Sequence, residues 1–308
     1  MRCRPAVLAI LLVLAAGAPA RAATKIVFGY TAVTEYASAF IAKDEGFFAA
    51  HGLDVDFVQM QLNSTEPAAL VGDSLQLAVP TPSILLQAND GGLDLVILGN
   101  CSVSDPTADT GAILVRPGAG IARPQDLIGK RVGVPGLNAL IHLMAREWLT
   151  LKGVDYNKVT FVETPFPQMG DLLRAGTVDA VVAVDPFYHR ILAAGSGTVL
   201  ARYMADLPAG IATSFYATTR AWADAHRDAV HGIQAALREA NRFHRQHPEA
   251  WRPIVGRYIK LPPAVLATLR SPDLEFAVTP LQVDYWVDVM MRQGMLKRRP
   301  DVAALIVK

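Results

Sequence analysis

Apolar segments alternate with polar, turn-forming clusters along the first hundred residues. Residues 26–29 form an apolar run that predicts a buried strand, followed by a polar loop and a helix. The alternating residues 53–57 lead in the same way to a capping cluster at 63–67, and the run 75–79 leads to another at 81–83. Strands that feed helices predict a parallel sheet, and small molecules bind at the carboxyl edge of such sheets.

The same order of elements recurs about one hundred residues later. Three pairs of residues share one spacing of 104 positions: Gly29 and Gly133, Gly72 and Gly176, Pro82 and Pro186. The second copy has predicted strands at 131–134, 159–162 and 178–184, an amphipathic helix at 140–151 and a short helix through 172–174. Each copy is therefore predicted to be a small α/β unit, and the chain an α/β protein of two lobes.

The sequence contains no obvious linker between the two predicted lobes. No Pro/Gly/Ser-rich or charged segment divides the chain, so it is expected to cross between the lobes more than once. We predict that residues 23–113 and 213–308 form lobe I and that 114–212 form lobe II. The crossings are expected in two extended segments, 112–115 and 212–216.

The C-terminal third is predicted to be mostly helical. A strand at 214–218 precedes a long helix at 220–246, and two apolar stripes at helical spacing follow. Trp251, Ile254 and Tyr258 form the first stripe, and Tyr285, Val289 and Leu296 the second. Both are interpreted as core or as cover for a lobe.

The first 22 residues are typical of a secretory signal peptide. Arg2 and Arg4 precede an apolar run at 6–16, and small residues up to Ala22 provide a cleavage site. The apolar run is too short for a stable membrane anchor, so the mature chain, residues 23–308, is expected to be soluble and exported to the periplasm.

Charge and cysteine content exclude several classes of function. Removing residues 1–22 lowers the basic count from 29 to 26 against 28 acidic residues, so nothing indicates nucleic-acid binding. The mature chain retains only Cys101, which allows no intramolecular disulfide and is interpreted as a small buried residue rather than a reactive thiol. Histidines lack metal-ligand spacing, so neither a metal nor another cofactor is expected.

Several motifs resemble the solute-binding proteins of nitrate, sulfonate and taurine type transporters, a superfamily that includes binders of thiamine-precursor pyrimidines. The motifs are Ala42-Lys43-Asp44-Glu45-Gly46-Phe47-Phe48, Gly52-Leu53-Asp54-Val55, Ala68-Ala69-Leu70 with Gly72, Leu173 with Gly176, Val178-Asp179-Ala180, Asp185-Pro186-Phe187, the Trp222 helix and the Gly294 to Asp301 ending. The resemblance covers nearly all of the mature chain. It implies a two-lobed type II periplasmic-binding-protein fold, with two crossing strands and a ligand cleft between the lobes, that delivers its ligand to an inner-membrane ABC permease with its ATPase.

The candidate ligand-binding residues follow predicted strands or begin helices, where unpaired N–H groups hold polar groups without a lysine or arginine. They are Thr34, Glu35, Tyr36, Thr81, Ser83, Asn100, Asn138, His142, Phe166, Asp185 and Phe187. Helix capping remains an alternative role for the Ser, Thr, Asn and acidic residues, a core role for the aromatic residues, and a structural role for His142.

Two ligand classes are compatible with these residues. A sulfonate or carboxylate suits the lack of basic side chains in the loops and is preferred narrowly, whereas a planar, amine-bearing heterocycle suits Glu35, Asp185 and the aromatic residues. We expect a monomeric binding protein of an importer and not an enzyme, because no nucleophile elbow or phosphate-binding loop is present. An enzyme on the same fold, or a partner of a membrane sensor, remains the alternative.

Overall fold

A computed structural model describes residues 22–206 and 208–307, so the predicted signal peptide lies outside the described residues except for Ala22. The strands are β1 (Thr24–Tyr30), β2 (Leu53–Gln59), β3 (Leu95–Val103), β4 (Gly111–Val115), β5 (Arg131–Val134), β6 (Thr160–Glu163), β7 (Ala180–Val184), β8 (Thr198–Ala201) and β9 (Ala212–Thr219). The helices are α1 (Ala37–Asp44), α2 (Phe47–Ala50), α3 (Glu66–Val71), α4 (Pro82–Asp90), α5 (Leu140–Leu151), α6 (Met169–Arg174), α7 (Phe187–Ala193), α8 (Arg220–Ala225), α9 (Arg227–Gln246), α10 (Trp251–Ile259), α11 (Pro263–Thr268), α12 (Pro280–Arg292) and α13 (Val302–Leu305).

The first sheet lies in lobe I and consists of two strand pairs that a short extended segment joins. β1 pairs in parallel with β2, and β3 pairs antiparallel with β9. Residues 76–80 connect these pairs, because Leu77 bridges Phe28 of β1 and Ala78 bridges Ala217 of β9. The segment predicted as a strand at 75–79 therefore takes part in the sheet through two isolated bridges only. The order across the sheet is β2, β1, 76–80, β9, β3.

The second sheet forms lobe II and repeats this arrangement. Its order is β6, β5, β7, β4, β8, with β5 parallel to β6 and β7, and β4 antiparallel to β7 and β8. Gly29 of β1 and Gly133 of β5 occupy equivalent places. A Cβ at Gly29 would lie 2.5 Å from Leu75 Cδ1, and one at Gly133 would lie 3.0 Å from Thr164 Oγ1, so both sites favour glycine.

The chain crosses between the sheets earlier than predicted. β4 lies entirely within the second sheet and β9 within the first, so the predicted crossing segments 112–115 and 212–216 are ladder strands. The crossings fall at residues 104–110 and 208–211. They are tied together there, since Ser104 N donates to Ile211 O and Gly210 N donates to Ser104 O, each at 2.8 Å.

The helices pack on both sheets largely as the pattern predicts. α5 spans the predicted residues 140–151 and buries an apolar face that includes Leu143 and Trp148. The helix predicted at 220–246 is interrupted at His226, which separates α8 from α9. Leu296, predicted in a helical stripe, is buried beyond the end of α12. Over the described residues, no helix is both long and apolar enough to cross a membrane.

Candidate ligand-binding cleft

Two adjoining cavities lie between the sheets and share Glu35, Val184, Met204 and Thr213. The aromatic cavity is lined by Thr31, Val33, Glu35, Tyr36, Asn63, Val79, Thr81, Leu140, Ile141, Met144, Phe166, Val184, Tyr203, Met204, Thr213 and Ser214. The acidic cavity is lined by Thr34, Glu35, Ser102, Val103, Asp105, Ala108, Thr110, Val184, Asp185, Met204, Thr213, Ser271, Pro272 and Asp273. Both lobes therefore contribute to each cavity, and we call the pair the cleft.

Six of the predicted site residues line the cleft. They come from the loop after β1, the segment before α4, the turn before α6 and the end of β7, and they are Thr34, Glu35, Tyr36, Thr81, Phe166 and Asp185. The carboxyl ends of parallel strands meet at one edge of each sheet, and the two edges face each other here. The strand ends therefore bring these six residues together around the cleft.

Five predicted residues lie outside the lining of the cleft. Ser83 is fully buried behind Thr81, and their hydroxyl oxygens are 3.3 Å apart. Phe187 stacks on Phe166 with ring centroids 5.4 Å apart, so it supports a cleft residue from behind. Asn100 points the other way, because its Nδ2 donates to Ala277 O at 2.6 Å. β3 is buried along its whole length, so alternation could not indicate which face Asn100 occupies.

Asn138 and His142 also face away from the cleft. Asn138 is exposed and adopts a left-handed backbone conformation with φ 62°. Its backbone N–H donates to His142 Nδ1 at 2.8 Å, so the His142 side chain holds the turn that precedes α5. Burial and the charge of Arg146 lower the pKa of His142 to about 4. These contacts match the structural role weighed for His142 in the sequence.

Sequence reasoning missed a group of hydroxyls beneath Glu35. Ser102 Oγ on β3 lies 2.5 Å from Thr213 Oγ1 and 3.0 Å from Ser214 Oγ on β9. Ser214 in turn donates to Glu35 Oε2 at 3.4 Å. Burial raises the pKa of Glu35, against the lowering effect of the Ser214 and Ser102 hydroxyls. The hydroxyl residues Ser102, Thr213 and Ser214 within two buried strands were the available signal in the sequence.

Asp185 forms the polar feature of the opposite wall. Its Oδ1 lies 2.5 Å from His189 Nδ1, one turn into α7, while its Oδ2 has no hydrogen-bond partner among the described residues. Burial raises the pKa of Asp185, and the hydrogen bond that His189 donates to Asp185 raises the pKa of His189. A ligand N–H group is the natural partner for a buried carboxylate oxygen of this kind.

Glu66 lies behind Tyr36 and Asn63 of the aromatic cavity. Sequence reasoning did not identify it as a site residue, because it belongs to the cluster interpreted as a helix cap. It is 0% exposed, and its Oε1 accepts from Asn63 Nδ2 at 3.2 Å and from the Tyr36 hydroxyl at 3.5 Å. Burial raises the pKa of Glu66 well above its usual value. Tyr36 and Asn63 line the aromatic cavity, so Glu66 contacts the cleft through them.

The described lining of the cleft contains no lysine or arginine. Glu35, Asp105, Asp185 and Asp273 line the acidic cavity. Arg270 is exposed and outside the lining, although its charge contributes to lowering the pKa of Asp105. The cleft is therefore rich in hydrogen-bond acceptors and unsuited to hold an anion by charge.

Two further features concern metals and the thiol. The described residues contain no group of three His, Cys, Asp or Glu side chains arranged to hold a metal ion. Cys101 is buried, its Sγ–H donates to the Glu35 carbonyl at 3.2 Å, and burial raises its pKa. A protonated, buried thiol is poorly reactive, which agrees with the interpretation of Cys101 as a structural residue.

Comparison with known proteins identifies the fold and the family. The formylaminopyrimidine-binding protein of Halalkalibacterium halodurans is 29% identical over 145 residues, which are 46% of this chain and 42% of that protein, so the match spans less than half of either. The alkanesulfonate-binding protein SsuA of Xanthomonas axonopodis pv. citri, bound to MOPS, has a TM-score of 0.78 at 21% identity, covering 94% of this chain and 99% of that one. The periplasmic nitrate-binding protein NrtA of Synechocystis PCC 6803 has a TM-score of 0.77 at 17% identity, covering 92% and 84%.

The same fold also occurs in a desulfurization enzyme, DSZB, with a TM-score of 0.68 at 13% identity, covering 92% of this chain and 96% of that one. The matches confirm the two-lobed periplasmic-binding-protein fold predicted from the sequence. The family model described as NMT1/THI5 like matches residues 33–251, the greater part of the chain. The chain therefore belongs to the NMT1/THI5-like family.

Proposed function

We propose that this protein is the periplasmic solute-binding component of an ABC importer and that its ligand is a small, planar molecule bearing N–H donors. The observation that carries the proposal is a cleft with Glu35 on lobe I, Asp185 on lobe II and no basic side chain in its described lining. Acceptors from both lobes would bind one donor-rich ligand between them. The ligand would then stabilise the closed arrangement over the open one.

The acidic lining reverses the preference for a sulfonate that the sequence supported narrowly. An anion in the acidic cavity would lie among Glu35, Asp105, Asp185 and Asp273, with no lysine or arginine of the described lining to offset their charge. Tyr36 and Phe166 provide ring surfaces in the aromatic cavity, on which a planar heterocycle would stack. The formylaminopyrimidine named for the relative from Halalkalibacterium halodurans is a molecule of this type.

The wider setting follows from the same proposal. Residues 1–22 would direct export and be removed, and the mature protein would act as a monomer in the periplasm. It would deliver the ligand to an inner-membrane permease with its ATPase and would not transform it. Strand pairing favours lobe boundaries slightly earlier in the chain than the predicted ones, with the first crossing at 104–110 and the second before residue 212.

A thermal-shift screen of residues 23–308 tests the function. The panel contains aminopyrimidines, other aromatic amines, taurine, alkanesulfonates, nitrate and small carboxylates. A ligand present at one hundred times its dissociation constant should stabilise the fold by about 2.7 kcal/mol, a midpoint increase of a few degrees. We expect the shift with an aminopyrimidine, which is recovered unchanged by mass spectrometry. A shift with sulfonates alone would contradict the ligand class, and consumption of the compound would establish an enzyme.

A further inference from the structure

Glu66 is a buried carboxyl whose two partners both line the ligand cavity. Its Oε1 accepts from Asn63 Nδ2 at 3.2 Å and from the Tyr36 hydroxyl at 3.5 Å, and it is 0% exposed. Its Oε2 has no hydrogen-bond partner among the residues the structure describes. An acidic residue that only starts a helix normally lies in solvent, whereas this one is directed inward, so favourable interaction with the start of α3 does not account for it.

The contacts of Glu66 fix which atoms its partners can offer to a ligand. The Tyr36 hydroxyl uses its single hydrogen on Glu66, and its oxygen also accepts from Thr31 Oγ1 at 3.4 Å, so toward the cavity it can only accept. The Asn63 amide directs its nitrogen to Glu66, which leaves Oδ1 as the atom for other partners. Both consequences hold whether Glu66 is ionised or protonated, since Oε1 accepts in either state.

We propose that Glu66 is a positioning residue that sets the hydrogen-bond polarity of the aromatic cavity, so that Tyr36 and Asn63 present acceptors and the cavity selects ligands with N–H donors. This inference rests on the proposed function and deepens it. Glu35 and Asp185 supply acceptors directly, whereas Glu66 acts without lining the cleft. Without Glu66, the Tyr36 and Asn63 donors would turn toward the cavity and oppose an amine.

The test compares two probes that differ only in a donor. A 4-aminopyrimidine and the matched 4-methylpyrimidine have similar shapes, and isothermal titration gives the ratio of their dissociation constants for each protein. We expect the wild type to prefer the amino probe by about tenfold or more. Glu66→Asp withdraws the carboxyl by one methylene while keeping the functional group, so this ratio should fall to within about twofold of one. Glu66→Gln retains an oxygen at the same reach and should keep most of the preference.

Controls separate a positioning role from general loss of structure. Gln234→Asn shortens another buried polar side chain, one that donates to Leu98 O at 3.0 Å and does not line the cleft, and it should leave the ratio unchanged. Equal weakening of both probes in Glu66→Asp, or an unchanged ratio, would overturn the role of Glu66. Loss of the preference in Glu66→Gln to the same extent would overturn it too. If the wild type binds taurine and neither pyrimidine, or none of the three, the ligand class itself is wrong.

Discussion

The two sheets share one strand order but differ in what surrounds them and in the chemistry at their carboxyl edges. The first sheet is covered by the C-terminal segment, with Phe276 packed on Gly99 of β3. Its edge presents Glu35, which accepts from the Ser214 hydroxyl, and Tyr36, whose hydroxyl donates to the buried carboxyl of Glu66. The edge of the second sheet presents Asp185 paired with His189. A repeated scaffold therefore carries two different polar arrangements, one held by hydroxyl groups and a buried carboxyl and the other by a carboxyl paired with a histidine.

The largest expected effect distinguishes the surroundings of the sheets. A Cβ at Gly99 would lie 2.4 Å from the Phe276 ring, which is rigid and buried, whereas at Gly133 the closest atom is Thr164 Oγ1 at 3.0 Å. Gly99→Ala should cost about 3 kcal/mol of unfolding free energy and Gly133→Ala about 1 kcal/mol. Urea denaturation measures both. Equal costs would mean that the C-terminal cover accommodates a methyl group as readily as the second sheet does.

The next prediction concerns Asp185, which lines the cleft on the side of the second sheet. Asp185→Asn keeps the size of the side chain but replaces one acceptor oxygen with a donor, so an amine-bearing ligand should bind about tenfold to one hundredfold more weakly. Titration calorimetry with a 4-aminopyrimidine measures the change. Asn241→Asp, which alters a buried amide outside the cleft, provides a matched control for folding. Unchanged affinity in Asp185→Asn would exclude a direct role for Asp185.

A smaller effect concerns the pH dependence of stability. The hydrogen bond that His189 donates to Asp185 raises the pKa of His189 in the folded protein, with Asp109 adding to the increase while burial and Arg270 oppose it. The folded state thus binds this proton more tightly. Its contribution to stability is complete below the ordinary histidine value of about 6.5 and is lost as pH rises through the folded-state value.

We therefore expect the melting temperature of His189→Gln to increase relative to that of the wild type as pH rises from 6 to 9, because the wild type loses this contribution over that range. Burial also raises the pKa of Asp185, which contributes in the same direction at lower pH. Calorimetric melting across this range measures the difference, with His226→Gln, an exposed histidine, as the control. Parallel pH profiles for wild type and His189→Gln would show that the protonation of His189 does not contribute to stability in this way.

The smallest effect on binding is expected at His142, a buried histidine of α5 outside the lining of the cleft. His142→Ala removes the acceptor of the Asn138 N–H and should cost about 1 kcal/mol of stability. Ligand affinity should change by less than about twofold, because the side chain does not line either cavity. A tenfold loss of affinity with an unchanged melting temperature would place His142 in the binding site after all.

The sequence predicted the elements better than the direction of polar side chains. The amphipathic pattern gave α5 within its observed bounds, and strand ends located Glu35 and Asp185. Asn100 could not be placed, because β3 is buried along both faces and alternation is silent there. The break at His226 has no proline or glycine to mark it. Glu66 resembled an ordinary capping residue, and only its tertiary contact with Tyr36 reveals otherwise.

The paired crossing segments restrict how the lobes can move. Ser104 and residues 208–211 are joined by four hydrogen bonds, two between backbones and two through the Ser104 hydroxyl. Two segments joined in this way bend together as one ribbon. Neither segment can slide along the other without breaking those hydrogen bonds. Sliding is therefore opposed while rotation about the ribbon remains. A ligand held between the lobes, as proposed, would then act mainly on the angle between them.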